Sequence, residues 1–354
     1  MPPMLRFLIN RIFAALVTLL VITAVLYGII MLTPPETRAE LYMTRGNARL
    51  TDEQYARLIE NIIERHHLRD PFPIQYAYWI GSLVQGNWGY SPVLNDNVLD
   101  TLVRKSKVTA ELTVYSLLFF IPLGLISGVI AGSKKDRGAD HRFRTAAFIA
   151  TSMPPFILAL VLISIFYVQL DWFPIERLSL QNDQYVKSSA FHEITGFITI
   201  DGFLNQRPDI SLDAARHLVL PVITLSLVHW ATLGRVTRAA TIEELQKEYI
   251  MAGKARGLPN HSLLWTHSLR NVMAPSLANS ALSAAALFTG VFVIEVIFNL
   301  HGISQVIVSS ISGAADAPSA LGYAIYSVLV VLMVMLILDI VQAIVDPRIR
   351  QGII

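Results

Sequence analysis

Long apolar stretches alternate with shorter polar stretches along the whole of this 354-residue chain. Six apolar stretches approach or exceed the roughly 20 residues that a helix needs to cross a bilayer. They lie near Phe7–Leu32, Leu112–Gly132, Ala146–Leu170, Leu218–Gly234, Val272–Phe298 and Gly322–Val345. The pattern predicts an all-α membrane protein with six transmembrane helices. Prolines inside several stretches agree with this, because neighbouring groups in a membrane protein can re-satisfy the carbonyls that a proline frees.

Composition supports a multi-pass membrane protein. Hydrophobic residues make up 53% of the chain and charged residues only 15%, against roughly 25% charged residues in a typical soluble domain. The first apolar stretch is too long for a signal peptide, and Pro34-Pro35 follows it instead of a small-residue cleavage site. We therefore expect this helix to be retained. The chain has no cysteine, which excludes disulfides and thiolate chemistry.

Basic residues concentrate in the polar segments on one side of the predicted membrane. Residues 133–145 hold five basic residues against two acidic ones, and residues 235–271 hold six basic residues. Residues 299–321, on the opposite side, hold none. Because lysine and arginine favour the cytoplasmic side, and because six spans return the chain to its starting face, we predict that both termini are cytoplasmic.

This topology divides the chain into four parts. They are an N-terminal transmembrane helix (1–32), an extracytoplasmic insertion (33–110), a five-helix core (111–346) and a cytoplasmic tail (347–354). Within the insertion, Thr51 and Gln54 have the spacing of a capping box in front of an amphipathic helix. Two interpretations of the insertion stay open: a packed cap without ligand contact, or a surface that receives a partner or substrate.

A polar stretch between the fourth and fifth predicted spans, from Glu248 to Pro259, reads as a short helix with a defined end. Gly257 can adopt the left-handed conformation that ends a helix, and Pro259 cannot continue one. A second short helix is predicted from Asn260 to Arg270. Small and charged residues share the first helix, a combination suited to close docking. The alternative is an ordinary cytoplasmic loop held inside by its basic residues.

The fifth predicted span carries polar residues along one side, at intervals of three or four residues. They are Ser276, Asn279, Ser280 and Ser283. Small residues let membrane helices approach closely, which favours a packing role. The rival interpretation is the wall of a polar translocation pathway, which Asn279 favours because packing alone does not need its amide.

Motifs for catalysis or nucleotide binding are missing from the sequence. There is no P-loop, no His-Glu-x-x-His and no Gly-x-Ser-x-Gly. His66 and His67 point about 100° apart on a helix, which is poor geometry for one metal ion. Glu111, Glu295 and Asp339 lie near predicted span ends, where a structural role competes with proton transfer. We predict no catalytic residue, no metal site and no cofactor in this chain.

Motifs spread over residues 5–350 resemble those of permease subunits of the dipeptide/oligopeptide (peptide/nickel) family of bacterial ABC importers. The polar stretch YIMAGKARGL (Tyr249–Leu258) and the following LWTHSLRNVMAP (Leu264–Pro275) closely resemble the cytoplasmic loop of that family. Further matching segments are Gly86–Ser91, Ile121–Gly124, Ser152–Phe156, Glu295–Phe298 and Asp346–Arg350. The motifs are specific for the family and much less specific for the substrate.

The resemblance implies a type I ABC importer permease fold in the bacterial inner membrane and a set of partners. These are a second homologous permease, two ATP-binding subunits that bind ATP and Mg, an extracytoplasmic substrate-binding protein and the lipid bilayer; nucleic acid is not among them. It also assigns an ATPase-docking role to Glu248, Tyr249, Ala252, Gly253, Lys254, Arg256 and Gly257. Met251 and Gly253 depart from the general Glu-Ala-Ala pattern of this loop, which leaves open which charge makes the contact.

Short peptides are the expected cargo, and nickel chelates, glutathione or oligosaccharides are the alternatives within the same importer class. Two other classes of membrane protein are alternatives to an importer subunit. An ion-coupled secondary transporter would need a coupling-ion site in mid-membrane, for which Asp339 and Glu111 are weak candidates. A membrane enzyme would need a nucleophile and base within the spans, and His229 beside a span-five serine is the only loose option.

Overall fold

Helices form nearly all of the chain in the computed structural model, which describes residues 3–39, 42, 51–312 and 316–345. The predicted tail, 347–354, lies outside the described residues. The first helices are α1 (Pro3–Ile30), α2 (Pro35–Ala39), α3 (Asp52–Arg65) and α4 (Phe72–Val84), followed by the strands β1 (Tyr90–Ser91) and β2 (Asp96–Asn97). The remaining helices are α5 (Val98–Ser133), α6 (Gly138–Ser152), α7 (Pro155–Leu162), α8 (Leu180–Val186), α9 (Ile198–Leu204), α10 (Pro208–Glu244), α11 (Glu248–Ala255), α12 (Asn260–Ser262), α13 (Leu269–Ile297), α14 (Ser304–Ser312) and α15 (Ala317–Val345).

Five of the six predicted spans are long apolar helices. They correspond to α1, α5, α10, the continuous stretch Asn260–Ile297 and α15. Several are longer than predicted: α5 has 36 residues and begins at Val98 rather than Leu112. At 1.5 Å per residue it is about 54 Å long, well beyond the roughly 30 Å hydrocarbon core. The predicted boundary between insertion and core at residue 110 therefore falls inside one helix.

The third predicted span, Ala146–Leu170, is not a single straight helix. Helix α6 ends at Ser152, and α7 starts at Pro155 at an angle of 99° to it. The cause lies in the sequence, because Pro154-Pro155 removes two backbone donors and forces Met153 into an extended conformation, with ψ 136°. A π-helical segment, Ile163–Gln169, continues α7.

The chain groups into two units. The core unit comprises the described residues within 1–7, 108–301 and 334–354, and the insertion unit comprises the described residues within 8–107 and 302–333. In the core unit α10 is the central helix and packs against α6, α7, α9 and α13. Its buried side chains, such as Leu220 and Leu233, meet Leu287 and Ile294 of α13 in one apolar cluster.

Glycines on α5 permit close contact with α10 in the core unit. A Cβ atom on Gly128 would lie 2.7 Å from the carbonyl oxygen of Gly234. A Cβ atom on Gly132 would lie at the same distance from the carbonyl oxygen of Arg238. Real side chains never approach a backbone this closely, so only glycine allows this helix pair to pack as it does.

The insertion unit has its own apolar core, which includes residues from the spans beside it. Tyr27 of α1 is fully buried and stacks on Trp79 of α4, with ring centroids 4.8 Å apart. Ile59 and Ile63 of α3 and Ile325 of α15 belong to the same cluster. The insertion predicted from residues 33–110 is therefore helical, but it shares its core with residues that we assigned to the membrane spans.

Polar contacts complete the insertion unit. The side chain of Gln54 accepts a hydrogen bond from the backbone N–H of Thr51 at 3.1 Å, as the predicted capping box requires. His66 and His67 stack on different aromatic rings, Tyr42 and Tyr78, at centroid distances of 3.9 Å and 4.7 Å. Each imidazole thus packs against its own aromatic partner.

Candidate functional site

Helix α11 and the turn after it form the stretch that we predicted to dock. Gly257 has φ +80°, the left-handed conformation expected from the sequence. The N–H of Gly257 donates to the carbonyl of Lys254 at 3.0 Å, and the N–H of Leu258 donates to the carbonyl of Gly253 at 3.1 Å. These bonds satisfy carbonyls that would otherwise lack partners at the helix end. The predicted helix, its end and its glycine are confirmed.

The second short helix predicted after Pro259 differs from the structure. Helix α12 begins at Asn260, passes through the π-helical segment Leu263–Ser268 and continues into α13. The whole stretch Asn260–Ile297 is one helical span of 38 residues. The buried Leu263, near the start of this stretch, packs against Gly253 of α11, and only the short turn at residues 256–259 separates α11 from the span.

The two faces of α11 have different environments. Ile250 and Gly253 are buried, and a Cβ atom on Gly253 would lie 2.6 Å from Cδ2 of Leu263. Gly253 therefore permits internal packing, and the structure does not place it on the exposed face where we expected it. The other predicted docking residues are exposed: Glu248, Tyr249, Ala252, Lys254, Arg256 and Gly257. Met251 adds apolar surface to the exposed face, and Leu258 is partly exposed in the turn that follows α11.

The carboxylate of Glu244, at the end of α10, holds the base of α11 in place. Its Oε1 accepts hydrogen bonds from the hydroxyl of Tyr249 at 2.5 Å and from Nδ2 of Asn271 at 2.6 Å. Its Oε2 pairs with Nζ of Lys247 at 2.5 Å. The hydrogen bond with Glu244 raises the pKa of the Lys247 ammonium. One buried carboxylate thus joins α10, α11 and α13.

Sequence reasoning missed both Glu244 and Asn271. Glu244 lies in the polar segment 235–271, of which only the basic residues contributed to the predicted membrane orientation. The available signal was its spacing, because Lys247 follows three residues later and Tyr249 two residues beyond that. The contact with Asn271 joins residues 27 positions apart and leaves no local pattern.

A second buried carboxylate ties the segment between α5 and α6 to α10. Asp140 has no solvent exposure and accepts two hydrogen bonds from Arg238, Nε to Oδ1 at 2.5 Å and Nη2 to Oδ2 at 2.8 Å. The N–H of Asp136 donates to the same carboxylate at 2.9 Å. This bidentate geometry is the strongest form of an arginine–carboxylate contact. Arg238 lies less than two turns before Glu244, so the Asp140–Arg238 ion pair and the contacts of Glu244 are at the same end of α10.

The predicted pathway residues on α13 are largely buried. The hydroxyl of Ser276 donates to the carbonyl of Val272 at 2.8 Å, and that of Ser280 donates to the carbonyl of Leu277 at 2.7 Å. Ser283 is also buried. These serines therefore act as small packing residues in this conformation. Asn279 differs, because its Oδ1 is buried and has no hydrogen-bond partner among the described residues.

Two of the carboxylates near span ends have structural partners. Glu111 is buried and its Oε1 accepts hydrogen bonds from the N–H and hydroxyl of Thr199, at 2.9 Å and 2.7 Å. Its Oε2 pairs with Arg177 at 3.0 Å. Glu295 accepts a hydrogen bond from the hydroxyl of Thr109. These contacts favour a structural role for both residues over proton transfer.

The cavity between α5, α9 and α10 has a volume of about 500 Å³. Its lining is mainly apolar and includes Leu118, Phe203, Leu212 and Val219. None of the four predicted pathway residues lines it. The polar side of α13 and this cavity are therefore separate features of the core unit.

Comparisons with known proteins agree with this architecture. Residues 121–351 match the family model described as "Binding-protein-dependent transport system inner membrane component", and residues 4–113 match the model of the N-terminal part of such components. The di/tripeptide transport system permease protein of Pseudomonas aeruginosa is 32% identical over 348 residues, covering 98% of this chain and 99% of the relative.

Two further relatives have similar names. The probable D,D-dipeptide transport system permease protein of Escherichia coli is 30% identical and covers 83% of this chain and 85% of its own length. The dipeptide transport system permease protein of Bacillus subtilis is 28% identical and covers 98% of both chains. The two family models together account for nearly the whole chain, both the insertion and the membrane core. The chain therefore belongs to the family of inner-membrane components of binding-protein-dependent transport systems, and it is a multi-pass, non-catalytic permease subunit of an ABC importer with the type I fold.

Proposed function

We propose that this permease forms half of a translocation pathway for short peptides. The observation that carries the proposal is the similarity, over nearly the full length, to relatives whose names specify di- and tripeptide transport. The chemistry of the spans is compatible, because clustered carboxylate or imidazole ligands for a metal-ion path are not found among the described residues. Nickel chelates, glutathione and oligosaccharides are the alternative cargoes.

We also propose that α11 docks into an ATP-binding subunit and transmits its movement. The exposed face of α11 combines small residues with Glu248, Lys254 and Arg256 around an apolar patch. Such a face suits a groove in a partner. The remaining partners would be a second permease subunit, a second ATP-binding subunit and an extracytoplasmic binding protein, with ATP and Mg bound by the ATP-binding subunits. In this arrangement α11 and both termini are cytoplasmic.

The cargo is tested by reconstituting the complete transporter in liposomes with its binding protein. We expect ATP-dependent uptake of a radiolabelled dipeptide that excess unlabelled dipeptide abolishes and that nickel or maltotriose leaves unchanged. The matched control is the same complex with the nonhydrolysable analogue of ATP. A binding protein that binds nickel or a sugar tightly and does not bind peptides would contradict the proposed peptide cargo. The assignment to the importer class would be unaffected.

A further inference from the structure

A strongly basic surface lies at the end of the core unit that also carries α11. It consists of Lys134, Lys135, Arg137, Arg142 and Arg144, all exposed, and we call it the basic surface. The ion pair between Asp140 and Arg238 places it close to the end of α10. Neither the docking of α11 nor the pathway on α13 involves these five side chains.

The basic surface lacks compensating carboxylates. Among the described residues, none of its five side chains forms an ion pair. The segment 133–145 contains two acidic residues, and Asp140 is buried with its charge taken by Arg238. Asp136 is thus the one exposed acid of the segment. The surface keeps most of its positive charge available to an external anion.

Helix α6 places this charge next to exposed hydrocarbon. Phe143, Ala147 and Ala150 form its buried stripe, whereas Phe148 and Ile149 are 71% and 59% exposed. Arg144 precedes Phe148 by four residues, about 6 Å along the helix axis. The exposed side of α6 therefore carries basic side chains near the start of the helix and apolar side chains one to two turns later.

We propose that the basic surface binds the phosphate-bearing headgroups of anionic phospholipids at the membrane interface. Helix α6 belongs to the bent pair of helices that together are apolar enough to span a membrane. In the arrangement that we propose, its exposed Phe148 and Ile149 face the hydrocarbon. The arginines one or two turns earlier then lie at the level of the headgroups, where long basic side chains extend towards phosphate. An aqueous protein partner would leave the adjacent apolar side chains unmatched.

The test measures lipid binding by the complete transporter, purified in detergent and analysed by native mass spectrometry. The probes are phosphatidylglycerol, phosphatidylcholine and inorganic phosphate. The variant is Arg142→Gln with Arg144→Gln, and a second variant changes Lys134, Lys135 and Arg137 to Gln. The control replaces Arg57 and Arg65 of α3, two exposed basic residues of the insertion unit, with Gln.

We expect each basic-surface variant to lower the number of bound phosphatidylglycerol molecules at least threefold, with phosphatidylcholine binding and the thermal midpoint unchanged. The control should bind both lipids like the parent protein, and inorganic phosphate should not displace the lipid. Unchanged phosphatidylglycerol binding in both variants would overturn the proposal. Loss of the ATP-binding subunits with lipid binding intact would also overturn it and would assign the surface to a protein partner. None of these measurements depends on the transported cargo.

Discussion

The hydroxyl of Tyr249 and the carboxylate of Glu244 are joined by a 2.5 Å hydrogen bond that fixes the base of α11 against the end of α10. The same carboxylate oxygen accepts a hydrogen bond from the amide of Asn271, in the first turn of α13. A movement of α11 therefore reaches two membrane helices through one side chain. This relationship makes Glu244 a positioning residue for the proposed coupling.

Replacing Glu244 with Ala should weaken that coupling. The change leaves the donors of Tyr249, Asn271 and Lys247 without their acceptor and should lower the free energy of unfolding by about 2 kcal/mol, since hydrogen bonds to charged groups contribute roughly 1.5–3 kcal/mol. We expect ATP hydrolysis by the reconstituted complex to continue while peptide uptake falls about tenfold. Glu244→Gln retains the Oε1 acceptor and should recover most of the uptake.

The control for Glu244 is Glu243→Ala, which removes an exposed carboxylate beside it. That variant should transport like the parent protein. Equal ratios of uptake to ATP hydrolysis in Glu244→Ala and in the parent would show that the Glu244 contacts do not transmit movement.

Replacing Gly257 with Val should strain the turn after α11. A residue other than glycine costs roughly 1–2 kcal/mol in the left-handed conformation, and β-branched residues resist it most. We expect reduced association with the ATP-binding subunits or uncoupled ATP hydrolysis, measured by co-purification and phosphate release. Gly257→Asn is the matched control, because asparagine tolerates positive φ. Normal transport by the valine variant would contradict the proposal that α11 docks to an ATP-binding subunit.

Replacing Gly128 with Ala should disturb the contact between α5 and α10. The added methyl group would lie 2.7 Å from the carbonyl oxygen of Gly234, so the helices must separate. We expect a loss of about 1–3 kcal/mol in the free energy of unfolding, the usual cost of overpacking. Gly81→Ala is the control, because nothing lies within 4 Å of its added Cβ atom. A denaturation series in detergent compares the two, and equal stabilities would contradict the packing described here.

Replacing Asn279 with Ala should distinguish between two roles for the polar side of α13, helix packing and the wall of a translocation pathway. Asn279 has a buried oxygen without a partner among the described residues, whereas the hydroxyl of Ser280 is bonded within its own helix. If Asn279 contacts the cargo during transport, its removal should lower uptake several-fold without a loss of stability. Ser280→Ala should change uptake by less than a factor of two. An Asn279→Ala variant with normal uptake would support packing for the whole face.

The insertion is best probed on its surface rather than by deletion. Removing residues 51–68 would take Ile59 and Ile63 out of the core around Tyr27 and would disrupt packing irrespective of function. Substituting the exposed Arg57 and Glu64 with Ala leaves that core intact. If the insertion receives the binding protein, the double variant should raise the concentration of binding protein needed for half-maximal uptake about threefold. An unchanged concentration dependence would favour a packed cap.

Local patterns predicted the parts of this molecule that local chemistry controls. The apolar stretches identified the spans, Gly257 the left-handed turn, and Thr51 with Gln54 the start of α3. The 99° bend was missed although Pro154 and Pro155 were visible, because membrane helices often accommodate a proline and the sequence does not tell which ones break. The buried role of Gly253 depends on Leu263, and the Glu244 contacts depend on Asn271. These contacts depend on how separate helices pack against each other, and a local sequence pattern does not show that packing.

The continuous helix from Asn260 to Ile297 has a mechanical consequence. It is about 57 Å long at 1.5 Å per residue, and it starts only three residues after Gly257. Its backbone is irregular at two points, the π-helical segment Leu263–Ser268 and Pro275, and helices bend at such points. A displacement of α11 reaches the π-helical segment first, because Leu263 packs against Gly253. In the coupling that we propose, the part of the helix before Pro275 moves with α11, and the stiffness at Pro275 determines how much of that movement arrives at Glu295.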